Sequence, residues 1–428
     1  MKVVLKYDTR LVELNLPPGR FECVEPAASP AARDLDALLS SALARPWDGP
    51  GFGDFLRGKR RLLLVVSDAT RRTGAEEVLP LLAKHVRAWQ GTGPEIRIVI
   101  ATGIHRDPTA AEVESLVPAD LFPNAAVVAH HADRQEEMDR FGRTSFGNEV
   151  WLNRSVRWAD AVVVCGGVGY HYFAGFSGGR KSLLPGLAGQ PSIQFNHNLV
   201  FRPDGSGRHP GAATARLDDN PVHLDMMEAM AMVGHDRIFT VSTLLNGEGR
   251  ITDLVVGHPV TSHREACRRY LASHSTALPR AADVVVASAG GFPRDINMIQ
   301  SHKAVEMARH ALRPGGALVV LAGCREGMGH PSFFPWFRFR TEEEFRQALV
   351  RDYVINGQTA LALFEKACRY RIYLVSQLPP DQVRQMGLIP VDDPAEALRQ
   401  ALGGLPEGWR GVVLPQASVT LCRVEPAA

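Results

Sequence analysis

Ala161-Val162-Val163-Val164-Cys165-Gly166-Gly167, five apolar residues closed by two glycines, decides what kind of sheet this chain builds. A strand with one wet face alternates apolar and polar side chains, whereas a strand covered on both faces reads as an unbroken apolar run. The same signature stands at Leu62-Leu63-Leu64-Val65-Val66, with one interruption at Ile96-Arg97-Ile98-Val99-Ile100, and again at 125–129. Helical patterns near 74–90 and 108–116 separate these runs, so the expectation is α/β, with a mainly parallel sheet covered on both faces. Ahead of them, residues 2–7 and 10–16 alternate like strands, Pro17-Pro18-Gly19 breaks the chain, and 32–44 reads as a helix.

A second series begins late. A helix from Ser262 to about Ser275 leads to a strand at 283–287, a helix near 296–312 and a strand at 317–322. Helices near 341–350 and 357–370, a strand at 371–375, a helix at 394–402 and strand-like pieces between 411 and 424 complete it. This predicts two α/β domains: 1–262, then a helical linker at 263–279, then 280–409. The tail 410–428 is expected to return to the first domain, because a terminal strand pair needs a sheet edge to join.

The chain has 428 residues, which at ~150 per domain fits two large domains or three. With 45% hydrophobic and 22% charged residues it is neither disordered nor fibrous. Lys plus Arg is 48 against 46 for Asp plus Glu, and no basic tract stands out, so capture of nucleic acid or of an anionic membrane has no support. No apolar run reaches the roughly 18 residues a bilayer span needs, and charges come too early for a secretory signal. A soluble, cytoplasmic protein is the expectation. Six cysteines without a Cys-x-x-Cys pair argue against a disulfide framework and a structural zinc site.

Ligands of open parallel sheets bind beyond the carboxyl ends of the strands. Three such ends carry polar turns: Ser67-Asp68-Ala69-Thr70-Arg71-Arg72, Ala101-Thr102-Gly103-Ile104-His105-Arg106, and Gly166-Gly167-Val168-Gly169-Tyr170-His171 running on to Ser182. Each alone is explained by a cap or a turn; three together point to a site. Gly175-Phe176-Ser177-Gly178-Gly179-Arg180-Lys181-Ser182 is close to a Walker A loop, but Arg180 occupies the place of its last glycine. Two readings remain for Ser177, Gly178 and Gly179: a phosphate site at a helix start with Arg180 or Lys181 nearby, or a tight glycine turn. Lys181 reads either as a nucleophile beside an anion site or as a solvated cation. His197, 16 residues further on, reads as a satisfied polar residue or as a nickel or zinc ligand.

The succession Ser-Asp-x-Thr-Arg, Ala-Thr-Gly-x-His-Arg, His-x-Phe-Ala-Gly-Phe-Ser-Gly-Gly-Arg-Lys-Ser and a following Asn-His resembles the nickel-pincer-dependent lactate racemase family. Gly290-Gly291-Phe292-Pro293 and Gln300-x-x-Lys303 extend the likeness over most of the chain. The resemblance implies two α/β domains with the active site between them, and a 2-hydroxy acid racemase or epimerase acting on a small-molecule substrate. The implied cofactor is a nickel-pincer nucleotide, pyridinium-3,5-bisthiocarboxylic acid mononucleotide, supplied by cofactor-synthesis proteins. Lys181 would attach it and His197 would ligate the nickel. His105 and His171 would be the acid/base pair. Arg71, Gln300 and Lys303 would hold the substrate carboxylate, and Asp68, Thr70, Ser177, Gly178 and Gly179 would help seat the cofactor.

The chemistry behind that assignment is coherent. The α-hydrogen of a 2-hydroxy acid is a very weak acid, so taking it as hydride avoids a carbanion, while an imidazole removes the hydroxyl proton. Two departures bear on specificity: Ala69 stands where a His is expected, and Gln358 where a Trp is expected. The aromatic stretch from Gly327 to Phe337 either lines a pocket or is core. The rival readings are a 2-hydroxy acid dehydrogenase or other nucleotide-dependent enzyme, and a protein that binds the nickel cofactor without catalysis. No Gly-x-Gly-x-x-Gly follows the early strands, which weighs against the dehydrogenase.

Overall fold

The computed structural model describes all residues except 69, 70, 72, 90–94 and 426–428. The chain divides into two units, a first of Ala28–Ala272 and a second that joins Met1–Ala27 to Ser273–Ala428. The first holds a six-stranded sheet in the order Ile251–Gly257, Ile238–Leu245, Ala161–Gly167, Arg61–Ser67, Glu95–Ala101, Ala126–Ala129. All neighbours run parallel except Ile251–Gly257, which is antiparallel to Ile238–Leu245. The apolar runs are its centre: Leu62 to Val66 and Ala161 to Cys165 are all sealed from solvent. Helices Leu35–Ala44 and Ala75–Trp89 cover one face, packing Leu39, Leu43, Leu79 and Leu82 against Leu62, Leu64 and Val66.

From Arg61–Ser67 the chain steps outward through Glu95–Ala101 to Ala126–Ala129, then returns to the other flank as Ala161–Gly167. The order therefore reverses between Arg61–Ser67 and Ala161–Gly167, and the crevice at such a reversal is where open α/β sheets take ligands. Asp68 and Gly167 leave their strands at that point. Strand Ile238–Leu245, which the sequence reading did not include, builds the far flank. Its Thr240, Ser242 and Thr243 interrupt the apolar run, yet all three are buried. The Thr240 hydroxyl pairs with that of Ser262 at 2.6 Å, and Thr243 donates to the Thr73 carbonyl. Buried hydroxyls need partners, and nothing in local sequence announces them.

The second unit carries a parallel sheet ordered Ile389–Pro390, Arg371–Val375, Leu312–Leu321, Ala282–Ser288, Gly411–Leu414, Phe21–Cys23. The expected boundaries are corrected here. Gly411–Leu414 pairs with Val284–Ala287, and Leu421–Val424 with Ser275–Leu278, so the tail stays in the second unit. The hairpin of Lys2–Tyr7 and Arg10–Asn15 belongs there too, burying Val3, Leu5, Tyr7 and Leu14 against Val284, Val286 and Leu321. Alternation shows that a strand has one apolar face, but not which distant core receives it. The expected linker begins as part of helix Thr261–His274, whose Ala266, Cys267 and Tyr270 pack on Val168, Phe176 and Leu244 of the first unit.

The aromatic stretch is core at Phe333 and Phe337, which pack on each other and, for Phe337, on Phe345. Gln358 is buried on helix Ile355–Arg369. The six cysteines are all free. Among the described residues no helix is long and apolar enough to cross a membrane.

Leu5 is fully buried in the second unit's core. Leu5→Ala should lower that unit's stability by about 2–5 kcal/mol. In urea, the transition reported by probes in 273–428 should move to lower concentration while the first unit's transition stays in place.

Candidate active site

Asp68 and His105 follow adjacent strands whose last paired residues are Ser67 and Ala101. The pairing brings the His105 Nδ1 within 3.0 Å of a buried Asp68 oxygen. On the other side of the ring, Arg71 Nη2 lies 3.3 Å from Nε2. A guanidinium only donates and an ionised carboxylate only accepts, so the neutral ring carries its proton on Nδ1 and its lone pair on Nε2. Asp68 thus orients the imidazole, and Arg71 covers the ring nitrogen that carries the lone pair. Thr70 lies outside the described residues.

The loop after Gly167 is wound around Arg180. Its guanidinium is sealed from solvent and donates to the carbonyls of Ala174 (2.8 Å), Phe176 (2.9 Å), Gly178 (3.2 Å) and Ser177 (3.4 Å). Its Nη1 also lies 2.9 Å from His263 Nε2, a nitrogen that is itself 3.0 Å from the Ser177 carbonyl. Burial lowers its pKa to about 10, which still leaves it charged at neutral pH. Gly178 and Gly179 have φ of +79° and +54°, and a Cβ on Gly179 would lie 2.7 Å from the His263 ring. Ser177 donates its hydroxyl to the Gly167 carbonyl at 3.0 Å. Residues Gly179–Ser182 form one 3₁₀ turn, not the start of a helix. The turn is thus not the N-terminus of an α-helix, and the Arg180 side chain is committed to the loop itself.

That turn presents Lys181. Burial, and then the charges of Arg180 and Arg71, hold its amine well below the usual lysine range. Among the described residues, no hydrogen bond or ion pair involves Nζ, which sits 5.8 Å from the Phe173 ring centre. His197, on the last turn of helix Gln190–Asn198, packs edge-on against the same ring at 5.0 Å. Burial, with Lys181 adding to it, takes His197 down to about 3, and its Nδ1 is buried without a partner. A neutral lysine is a nucleophile, and a neutral imidazole is a metal ligand.

His171 meets the third edge of this group, its ring 4.5 Å from that of Phe173. The Ala174 backbone N–H donates to His171 Nδ1 at 3.2 Å, which puts the ring proton of the neutral form on Nε2. The two candidate acid/base histidines therefore rest in opposite tautomers. The His105 turn also touches the lysine loop, since Gly103 N–H donates to the Gly186 carbonyl (3.1 Å) and Gly186 N–H to that of Lys181 (2.9 Å). Arg71 acts electrostatically on both Lys181 and His197. The structure thus assembles Asp68, Arg71, His105, His171, Lys181 and His197 in one unit. Gln300 and Lys303 belong to the other unit, on helix Met298–Ala308, where the Lys303 ammonium donates to Gln300 Oε1 at 2.6 Å. Sequence reasoning did not single out Phe173 as the shared ring or His263 as the partner of Arg180. Phe173 lay inside the quoted motif, but nothing at the level of sequence tied His263 to it.

Residues 7–208 match the lactate racemase N-terminal domain, and 278–419 the lactate racemase C-terminal domain. A lactate racemase from Thermoanaerobacterium thermosaccharolyticum is 30% identical over 85% of each chain. The chain belongs to the lactate racemase family. The lactate racemase of Lactiplantibacillus plantarum is 29% identical over 69% of this chain and 68% of its own. The solved lactate racemase apoprotein from the Thermoanaerobacterium species superposes with a TM-score of 0.90 at 26% identity, covering 99% of this chain and 100% of that one. A Thermotoga maritima structure at 17% identity shares the fold with a TM-score of 0.68. Family membership makes this chain an isomerase.

Among the described residues no group of three or more His, Cys, Asp or Glu side chains could hold a metal ion. His197 alone is a poor metal site. It fits a group that brings its own metal donors and needs one imidazole from the protein, and a Lys181 amine held well below the usual lysine range fits covalent attachment of that group.

Two outcomes follow from the buried groups. Arg180→Met leaves loop carbonyls without donors and should cost at least about 3 kcal/mol in a denaturant melt. Burial also lowers His130, His263 and His223 to about 4, 3 and 2. Once unfolded, these imidazoles take up protons below their ordinary 6.5, whereas the folded ones do not. Stability is therefore retained above that pH, and each should remove about 1.4 kcal/mol per pH unit on descent toward its folded value. A melting temperature that stayed flat from pH 7 to 5 would contradict neutral, buried imidazoles.

Proposed function

We propose that this chain racemises a 2-hydroxy acid, with lactate as the first substrate to test, using a nickel-pincer nucleotide attached at Lys181 and ligated by His197. When bound, such a group supplies a reversible acceptor for the substrate's α-hydrogen as hydride. The protein's own side chains do the rest. The observation that carries this reading is the company of three groups around the sheet reversal: a half-buried lysine beside the buried Arg180 guanidinium, a buried imidazole whose Nδ1 has no partner, and a histidine oriented by a buried aspartate. Packing alone gives no reason for all three.

Arg71 has the geometry to clamp the substrate carboxylate in two parallel hydrogen bonds. Its guanidinium covers His105 Nε2 in the free protein, so turning toward a carboxylate would uncover the base as substrate arrives. His105 then takes the hydroxyl proton on Nε2, and Asp68 stabilises the imidazolium through Nδ1–H, as a buried carboxylate does for a catalytic histidine elsewhere. His171 starts with Nε2–H, a donor suited to an oxygen that has lost its proton. To serve as the base for the opposite enantiomer it must adopt the other tautomer and release the Ala174 N–H. The planar keto acid stays held at its carboxylate while its other face turns to receive the hydrogen. The roles of Gln300 and Lys303 at the carboxylate rest on the sequence resemblance.

Protein produced together with the cofactor-synthesis proteins should carry about one nickel and a mass increase on the Lys181 peptide, both absent in Lys181→Ala. A panel of enantiopure 2-hydroxy acids should lose optical purity, lactate among them. In deuterium oxide the product should contain no deuterium at Cα, since hydride does not exchange with solvent; full incorporation would sink the hydride route. His105→Gln should lower kcat/KM by about 10²–10⁴-fold. The loss must be equal for both enantiomers, because mirror-image acids interconvert with an equilibrium constant of one.

A further inference from the structure

Helix Pro221–Val233 carries none of the residues assigned above, yet two fully buried polar side chains at its start and second turn hold pieces of the site. Asn220 caps the helix, accepting from the backbone N–H of Val222 (3.1 Å) and His223 (3.3 Å), and turns its Nδ2 onto the Phe173 carbonyl at 2.8 Å. Asp225 accepts from Thr144 Oγ1 at 2.7 Å, Asn148 Nδ2 at 2.8 Å and Asn196 Nδ2 at 2.8 Å. Asn196 also donates to the Val222 carbonyl at 3.0 Å and directly precedes His197. One helix thus grips both the segment that bears His197 and the loop whose Phe173 ring lies against His197 and Lys181.

A buried carboxylate is a costly way to join helices. Burial works against its ionised form and raises its pKa, and the three donors only partly offset that cost. Met226, Ala229 and Met230 of the same helix are buried apolar side chains of the ordinary kind, so packing surface was to hand. Replacing a satisfied buried charge by a hydrophobe is often neutral or stabilising, so stability does not account for an Asp here. Directional bonds to one carboxylate from two separate segments, the turn Thr144–Asn148 and the helix bearing Asn196, do what apolar packing cannot, which is to fix each segment's register against the helix that carries Asp225.

We propose that Asp225 is a positioning residue: through Asn196 it sets the place of the His197 imidazole relative to Lys181, so that the metal of a group attached at Lys181 is held by His197. The inference rests on the cofactor reading above. The test uses holoenzyme produced with the cofactor-synthesis proteins, comparing Asp225→Asn and Asn196→Ala with the wild type. Asp225→Asn opposes an amide N–H₂ to donors, and Asn196→Ala removes the link while Asp225 keeps two donors. In both, the Lys181 adduct mass should stay at the wild-type level while nickel leaves about 10-fold faster during desalting. KM for lactate should be unchanged and kcat lowered, since Arg71 lies outside this network. Nickel retained as in the wild type in both variants overturns the proposal. So does a parallel fall of nickel and adduct, which is what a merely structural role would give. Should Asp225→Asn not fold, Asn196→Ala decides alone. A wild type with neither adduct nor nickel overturns the cofactor reading, and this inference with it.

Discussion

Arg180 cannot shed its charge, so burying it obliges the chain to surround it with acceptors, and the loop 174–178 supplies them from its own carbonyls. That obligation gives the glycine-rich segment its shape. Gly178 and Gly179 adopt backbone angles few other residues tolerate, and Gly179 leaves room for the His263 ring. Lys181 emerges beside the buried guanidinium, where a second positive charge is doubly disfavoured by desolvation and by its neighbour. A structural charge thus holds the adjacent amine below the usual lysine range, so the fold of the loop sets the electrostatics of Lys181.

The same electrostatic logic extends outward. His197 stays neutral because it is buried near cations, which is the state a metal ligand requires. His105 and His171 are set in opposite tautomers by an aspartate and by a backbone N–H, so the site distinguishes two otherwise identical imidazoles before any ligand arrives. Their scaffold is the reversal of strand order between Arg61–Ser67 and Ala161–Gly167, the place where open α/β sheets take ligands.

Much of this was legible in the chain. Continuous apolar runs have few structural solutions, so the parallel sheets, and strands such as Arg371–Val375 or the helix Pro394–Leu402, follow closely from composition along short windows. Strand Ile238–Leu245 was not legible, because its buried hydroxyls imitate an exposed strand until their partners are known. The dense motif from His171 to Lys181 marked the site, yet its arginine was open to a phosphate-binding reading that the fold excludes by spending the guanidinium on carbonyls.

Residue order alone determined the fold class, the three polar strand ends and the kinds of side chain available for chemistry, because those depend on local periodicity and residue type. Tertiary structure decided which unit receives the first 27 residues and the tail, which nitrogen of each histidine carries the proton, and that helix Pro221–Val233 serves the site through Asn220 and Asp225. Those outcomes depend on hydrogen-bond partners and apolar faces that meet only after collapse, across tens to hundreds of residues, and no local pattern encodes such meetings.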